Sequence, residues 1–395
     1  MGGGALGRAV PRGRGCDGPL DGLDRDDHFY RHHRVRLDGL PADCLVELRH
    51  VVELRRVGQL GRLLELEEQF HQHGAVVMSA ASTLTSEATE QFACFGGLCT
   101  VLVEGTGPAG TARLAAQRVK RRLLQWHDQF SRFEPRSELS RLNDDRCETV
   151  PVSAMMARFV EAAVEAAKMT GGLVDPTLVN EVERAGYAYD LGPEYAAPVG
   201  LAGLTPPRRP AGPNPAARWR RVIVDRRSQL VTRPAGLRID SGGVAKGLFG
   251  DVLAPLLSQH VSFVIAAAGD VRIGGSAGRP RAIEVTSPFE AAETLHTFEL
   301  ARGAVATSGT TKRSWLDEHG RLSHHLLDPS TGTPAFTGVV QVTALARTGV
   351  EAEALAKAAV LAGPEGAAPW LTHGGVVAYD DRSFDVIDPH DREGL

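Results

Sequence analysis

The chain has 395 residues, length for one large or two ordinary domains, and 43% of them are apolar, sufficient for a sizeable core. Its formal charge is −4 and its aromatic residues are few and scattered, so it lacks the basic stripe and stacking platform of a nucleic-acid binder. No apolar run is long enough to span a bilayer, the first twenty residues are Gly/Arg-rich without a signal-peptide or lipid-anchor pattern, and the five cysteines are odd in number with no CxxC pair. These features fit a soluble protein of a reducing, cytoplasmic compartment.

In chain order, residues 1 to about 40 are rich in Gly, Arg, Asp and His and carry neither helical nor strand periodicity. Leucines at helix-like spacing between Cys44 and Phe70 predict one or two short helices, and Met78 opens a Ser/Thr/Ala segment that resembles a natural start. We therefore expect residues 1–77 to be a disordered or non-native extension and residues 78–395 to form the functional domain. Cys99–Glu104 predicts a strand, followed by the turn signal Gly105-Thr106-Gly107-Pro108 and an amphipathic helix over Thr111–Phe130. A second helix spans about Ser153–Met169 and stops at Gly171-Gly172. The Pro/Gly/Ala-dense stretch 191–218 predicts an exposed loop.

Beyond it the pattern predicts strands at Arg221–Asp225 and Gly236–Asp240, a helix over Lys246–Leu257 and a strand at Phe263–Ala266. Further strands are expected at Arg281–Thr286, Thr297–Leu300 and Val339–Ala346, then an Ala/Leu helix from Val350 to Leu361 and a strand at Val376–Tyr379. Helices and strands alternate irregularly with hairpin-like spacing, which predicts an α+β fold rather than a βαβ array.

Two segments carry chemistry. Asp240-Ser241-Gly242-Gly243-Val244-Ala245-Lys246-Gly247 sits at a strand-to-helix junction, where paired glycines, free helix-start N–H groups and a lysine can cradle an anion. A plain turn with a solvated lysine explains the same residues. Ser323-His324-His325-Leu326-Leu327-Asp328-Pro329-Ser330-Thr331-Gly332 offers a histidine suited to taking a hydroxyl proton, although Asp328 to Gly332 also reads as a simple turn. Ala268-Gly269-Asp270 and Ala306-Thr307-Ser308-Gly309, the latter able to contact ligand oxygens, are weaker signals that taken singly read better as tight turns around core strands.

Taken in order, these segments resemble the FAD:protein FMN transferase family, the ApbE-type flavin transferases. The resemblance also rests on Phe130-Ser131-Arg132-Phe133, on Ser137 to Asn143 and on Gly171-Gly172-Leu173-Val174-Asp175-Pro176-Thr177. It implies a two-lobed α+β fold with mixed sheets and flanking helices. FAD would lie in the cleft with magnesium (Mg2+) on its diphosphate, and a Ser or Thr of an acceptor flavoprotein would take FMN as AMP leaves. The resemblance assigns the base to His325, and FAD contacts to Phe133, Leu173, Val174, Asp175, Asp240, Lys246 and Leu326. The metal falls to the Gly243 carbonyl, Glu353 and the position of Lys357.

The chain departs from the family where Ala352-Glu353-Ala354-Leu355-Ala356-Lys357 replaces Ala-Asp-Ala-Leu-Ala-Thr. Glu353 can still ligate a hard cation, whereas an ammonium has no lone pair to give. Spaced i and i+4, the two can pair with each other, or the ammonium can take the cation's place, or the helix can shift and leave a surface pair. Two other functions use the same cradle: a non-catalytic FAD-binding protein with a degenerate metal site, and an FAD pyrophosphatase giving FMN and AMP.

Overall fold

Alternation of side chains across a strand lets one sheet feed two cores. A computed structural model of the chain describes residues 87–190, 206–317 and 319–389. The expectations for residues 1–77, for the helices of Cys44–Phe70, for Met78 and for the first part of the 191–218 loop lie outside the described residues. The main sheet has eight strands: β1 (Glu87–Cys94), β2 (Gly97–Glu104), β3 (Ser262–Ala267), β4 (Asp270–Gly274), β5 (Gly303–Gly309), β6 (Val339–Ala346), β7 (Gly375–Tyr379) and β8 (Phe384–Ile387). They lie side by side in chain order, each antiparallel to the next.

Six helices position the site: α1 (Ala112–Phe130), α2 (Glu138–Asp144), α3 (Ala154–Met169), α4 (Val179–Arg184), α5 (Ala245–Leu257) and α6 (Gly349–Ala362). The fold is α+β. Val101, Val103, Phe263 and Ile265 point to α1, α3 and α5, while Leu102, Val264 and Ala266 point to the other face. There they meet Ile283 and Leu300 of a separate ribbon, Arg281–Thr286 paired with Thr294–Leu300. The period of two thus sorts one apolar run into two layers.

Local chemistry sets the helix ends. Thr111 and Ser153 cap α1 and α3 with their hydroxyls. The α3 exit is a Schellman motif: the Gly171 N–H donates to the Lys168 carbonyl and the Gly172 N–H to the Ala167 carbonyl, with both glycines at positive φ. That turn aims Leu173-Val174-Asp175 back along the helix end.

Helix α6 is apolar nearly all round, with Ala352, Ala354, Ala356, Ala358, Ala359 and Val360 all buried. It packs on β5 and β6 through Ala304, Ala306, Ala344 and Ala346, and on α5 through glycine. A Cβ on Gly247 would overlap the Gly349 carbonyl, and one on Gly349 would overlap that of Gly247. Each helix also caps the other. Asp251 of α5 accepts the Gly349 and Val350 N–H groups at 2.8 and 3.0 Å, and Glu353 of α6 accepts the Gly247 N–H at 3.0 Å.

Two sequence expectations need correction. Gly236–Asp240 does not join a ladder; the Ile239 N–H and carbonyl are satisfied by the Asn143 side chain, and the Asp240 N–H by the Pro176 carbonyl. Ala306–Gly309 is the end of β5 rather than a turn, paired with Gln341–Ala344. Gly247→Ala should destabilise the fold by at least about 2 kcal/mol through overpacking of the α5–α6 contact. Gly212→Ala, whose Cβ would meet only Ser330 at ordinary contact distance, should cost less than about 0.5 kcal/mol, both measured by urea unfolding.

Candidate functional site

The reciprocal caps place four charges together. Lys246, in the first turn of α5, forms an ion pair with Asp270 and lies 3.5 Å from the Glu353 carboxylate. Lys357, one turn along α6, donates to the same Glu353 oxygen at 3.1 Å. Glu353 is 1% exposed, so this is a buried cluster and not a surface pair. Its two oxygens are both engaged, one by Gly247 N–H and one by the two ammoniums.

Asp270 reaches Lys246 because the β3–β4 hairpin turns in two residues, with Ala268 and Gly269 both at positive φ, the geometry of a type I′ turn. Its other oxygen accepts the Thr307 N–H of β5, and Thr307 in turn shares a hydrogen bond with Thr343 of β6. Burial alone would favour neutral groups here. Burial raises the Asp270 carboxyl, with Lys246 opposing and Glu353 reinforcing the rise; burial likewise works against the Lys246 charge, but Asp270 and Glu353 override it and raise its pKa. Burial also opposes the Glu353 charge, yet Lys357 and Lys246 hold its carboxyl below the usual range.

The cluster is surrounded by further positive charge. Burial, then Lys246, pushes the Lys312 ammonium down, and Arg313 anchors on the Phe95 carbonyl at 2.9 Å. The His325 pKa lies well below its ordinary value: burial is the main cause, followed by Arg313 and His324, with Lys357 adding to it. His325 is therefore neutral at pH 7. Its Nδ1 sits 3.4 Å from the Arg313 carbonyl, which can only accept, so Nδ1 carries the proton and Nε2 keeps a lone pair. His324 is buried against the Phe336 ring, and burial pushes its pKa to about 4.

An aromatic wall links this histidine to the cradle. Arg132 lies over the rings of Phe133 and Tyr187, and Tyr187 stacks on Trp315. Trp315 pairs with Ser323 in a short ribbon, and the His325 N–H continues that pairing to the Arg313 carbonyl. Arg132 Nε lies 3.4 Å from Asp240, whose other oxygen accepts the Gly242 N–H. Val174 stands opposite Gly243. Asp175 takes the Thr177 N–H and hydroxyl on Oδ1, leaves a buried Oδ2 without a partner, and has its pKa raised by burial.

The residues named from the sequence thus fall into three linked patches. Lys246 and Lys357 both bear on Glu353. Asp240 and Phe133 meet through Arg132, and Val174 and Gly243 face each other beside them. His325 joins through the Trp315 ribbon and the Lys357 field. Leu326 is 6% exposed and packs in the β5–β6–α6 core. Asp328 accepts the Gly212 N–H, the Ser330 N–H and the Ser330 hydroxyl on one oxygen and pairs with Arg209 through the other, so it holds the 206–218 segment in place. Among the site residues, Asp270 and Arg132 carry a signal only inside longer motifs, Ala268-Gly269-Asp270 and Phe130-Ser131-Arg132-Phe133, and Tyr187 and Trp315 carry none.

The ApbE family model matches residues 95–379, the greater part of the chain. The chain belongs to the ApbE family. A Rhodobacter capsulatus protein named FAD:protein FMN transferase is 29% identical over 302 residues, covering 74% of this chain and 55% of its own. One of the same name from Vibrio cholerae is 28% identical over 253 residues, covering 62% of this chain and 73% of its own. The chain thus spans little more than half the length of the Rhodobacter relative. The Thermotoga maritima ApbE crystal structure aligns with a TM-score of 0.61 at 24% identity, covering 76% of this chain and 97% of that one. The apo Pseudomonas stutzeri flavinyl transferase ApbE aligns at 0.59 and 20% identity, covering 78% and 97%. These likenesses carry the fold.

A resident divalent ion of the kind the ApbE resemblance implies does not fit these side chains. Among the described residues no group of three or more His, Cys, Asp or Glu could hold a metal, both Glu353 oxygens are already engaged, and Lys357 offers no lone pair. No helix among the described residues is long and apolar enough to cross a membrane.

His324 supplies a pH test of this part of the ApbE fold. Its folded pKa of about 4 lies below the unfolded value of 6.5, so the unfolded chain binds more protons between them. Stability is full above pH 6.5 and is lost as pH falls towards 4. Urea midpoints measured from pH 7 to 4.5 should decline, and His324→Leu should make the slope shallower by up to roughly 1.4 kcal/mol per pH unit.

Proposed function

We propose that the chain transfers the FMN moiety of FAD to a Ser or Thr hydroxyl of an acceptor flavoprotein, releasing AMP. The observation that carries the reading is a neutral histidine with a free Nε2 beside a cluster of fixed cations. A hydroxyl nucleophile needs a base that is unprotonated at neutral pH, and a diphosphate needs its charge met. The names borne by the relatives support the same reaction.

In this reading the acceptor oxygen attacks the FMN-side phosphorus while the bond to the AMP phosphate breaks, and His325 Nε2 takes the hydroxyl proton. Lys246 and Lys357 face the diphosphate, and the Gly243 backbone lies open beside it. Asp175, with its unpartnered Oδ2, accepts a hydroxyl or N–H of the flavin-nucleotide. Phe133 and Tyr187 present apolar rings to the planar parts of FAD, and Asp240 with Arg132 orders their edge. Leu327 packs behind this wall, while Leu326 lies in the β5–β6–α6 core. We assign the reaction to the unit 78–395 and place it in a reducing compartment such as the cytoplasm; Cys94, Cys99 and Cys147 form no disulfide with one another.

In-gel fluorescence of a candidate acceptor after incubation with enzyme and FAD tests the proposal. Covalent flavin should form, and His325→Asn should slow it by roughly 100- to 10,000-fold while FAD still binds. The kcat/KM profile should stay flat as pH falls through 6.5, because the neutral imidazole persists below that point. AMP release at full rate without any acceptor would instead identify a pyrophosphatase, and FAD binding without either product a non-catalytic binder.

A further inference from the structure

We infer that this chain meets the charge of its diphosphate ligand with the Lys357 ammonium, fixed on Glu353, and not with a divalent cation. The inference rests on the FAD reading above and concerns the same site. Two lysines, Lys246 and Lys357, already meet the two carboxylates, Asp270 and Glu353, and Arg313 and Lys312 stand beside Lys246, so no negative charge in the cluster is left unmet. Such a site attracts an anion and repels Mg2+, which ordinarily needs one or two uncommitted carboxylates beside the phosphates. Neither carboxylate is uncommitted. Glu353 holds the Gly247 N–H and two ammoniums, and Asp270 holds Lys246 and the Thr307 N–H.

Lys357 is also well placed to serve. Its side chain is 11% exposed, so most of it is sheathed by protein, and its ammonium is tied to Glu353 at 3.1 Å. The i,i+4 spacing from Glu353 sets its reach, and its field is felt at His325. An ammonium in a partly dehydrated site can donate to phosphate oxygens while remaining tied to its carboxylate, since it has three protons.

The test is FAD binding to the full chain, followed by flavin fluorescence quenching, after exhaustive dialysis against EDTA and again in millimolar magnesium. The two dissociation constants should agree within about twofold, since an ion that does not bind cannot shift the equilibrium. Calorimetric titration of magnesium into the unliganded chain should give no binding heat. Lys357→Thr should weaken FAD binding without metal by roughly 10- to 100-fold and regain it with magnesium, because a hydroxyl can ligate and an ammonium cannot. Lys357→Met, which offers no oxygen, should lose affinity without regaining it. FAD binding by the unaltered chain only in magnesium would overturn the inference and leave the transferase reading intact. Absence of FAD binding in both conditions would overturn that reading and this inference with it. Should either variant fail to fold by circular dichroism, the comparison on the unaltered chain decides.

Discussion

Two carboxylates, Glu353 buried and Asp251 half-buried, each on one helix and each bound to the start of the other, hold this molecule's site together. Asp251 takes the first N–H groups of α6, and Glu353 takes the Gly247 N–H of α5. A carboxylate at a helix N-terminus satisfies orphan donors and meets the positive end of the dipole, so each contact is favourable twice over. The pair also fixes the helices against sliding, because both contacts must hold at once. Gly247 and Gly349 are the steric counterpart, since only backbones without Cβ atoms can come this close.

From that crossing the charges follow. Helix α6 is enclosed by the sheet on one side and by α3 and α5 on the others, so any ionisable residue in its middle must be buried with partners. Burying a charge costs several kcal/mol, whereas an opposite charge about 4 Å away returns on the order of 4 kcal/mol at an effective dielectric near 20. One partner therefore roughly breaks even, and Glu353, with two ammoniums and a backbone N–H, is comfortably ionised. The same arithmetic explains the neutrality of His325. Burial and neighbouring positive groups both oppose its protonation, and among the described residues no carboxylate hydrogen bond to its ring counters them.

Much of this was legible in residues alone. The helix over Thr111–Phe130, the glycine stop after Met169 and the strand before Glu104 all have local causes, in caps, positive-φ glycine and β-branched runs, and they lie where the sequence places them. The i,i+4 relation of Glu353 and Lys357 was equally plain. What the residues could not reveal depends on contacts far apart in sequence. Leu237–Asp240 has strand-like composition, yet its backbone is met by Asn143, nearly a hundred positions earlier. Asp270 looked like part of a turn because its partner, Lys246, is reached only when β4 lies beside α5. Burial of the Glu353–Lys357 pair likewise depends on how many elements surround α6, which its alanine-rich composition hints at without naming the neighbours.

A fixed ammonium and a bound divalent ion would give the same pocket different chemistry. The ammonium is always present and cannot be lost to a chelator, but it is a single charge on a flexible stem and imposes no coordination angles. Orientation of a ligand must then come from rigid elements. Here these are the start of α5, the Schellman turn that presents Val174 and Asp175, and the ring wall of Phe133, Tyr187 and Trp315. All three are anchored in the core rather than on long loops, so the geometry that a metal would impose through its ligands is carried instead by backbone and packing. Under the proposed reading the Lys357 side chain supplies charge, and the fold supplies direction.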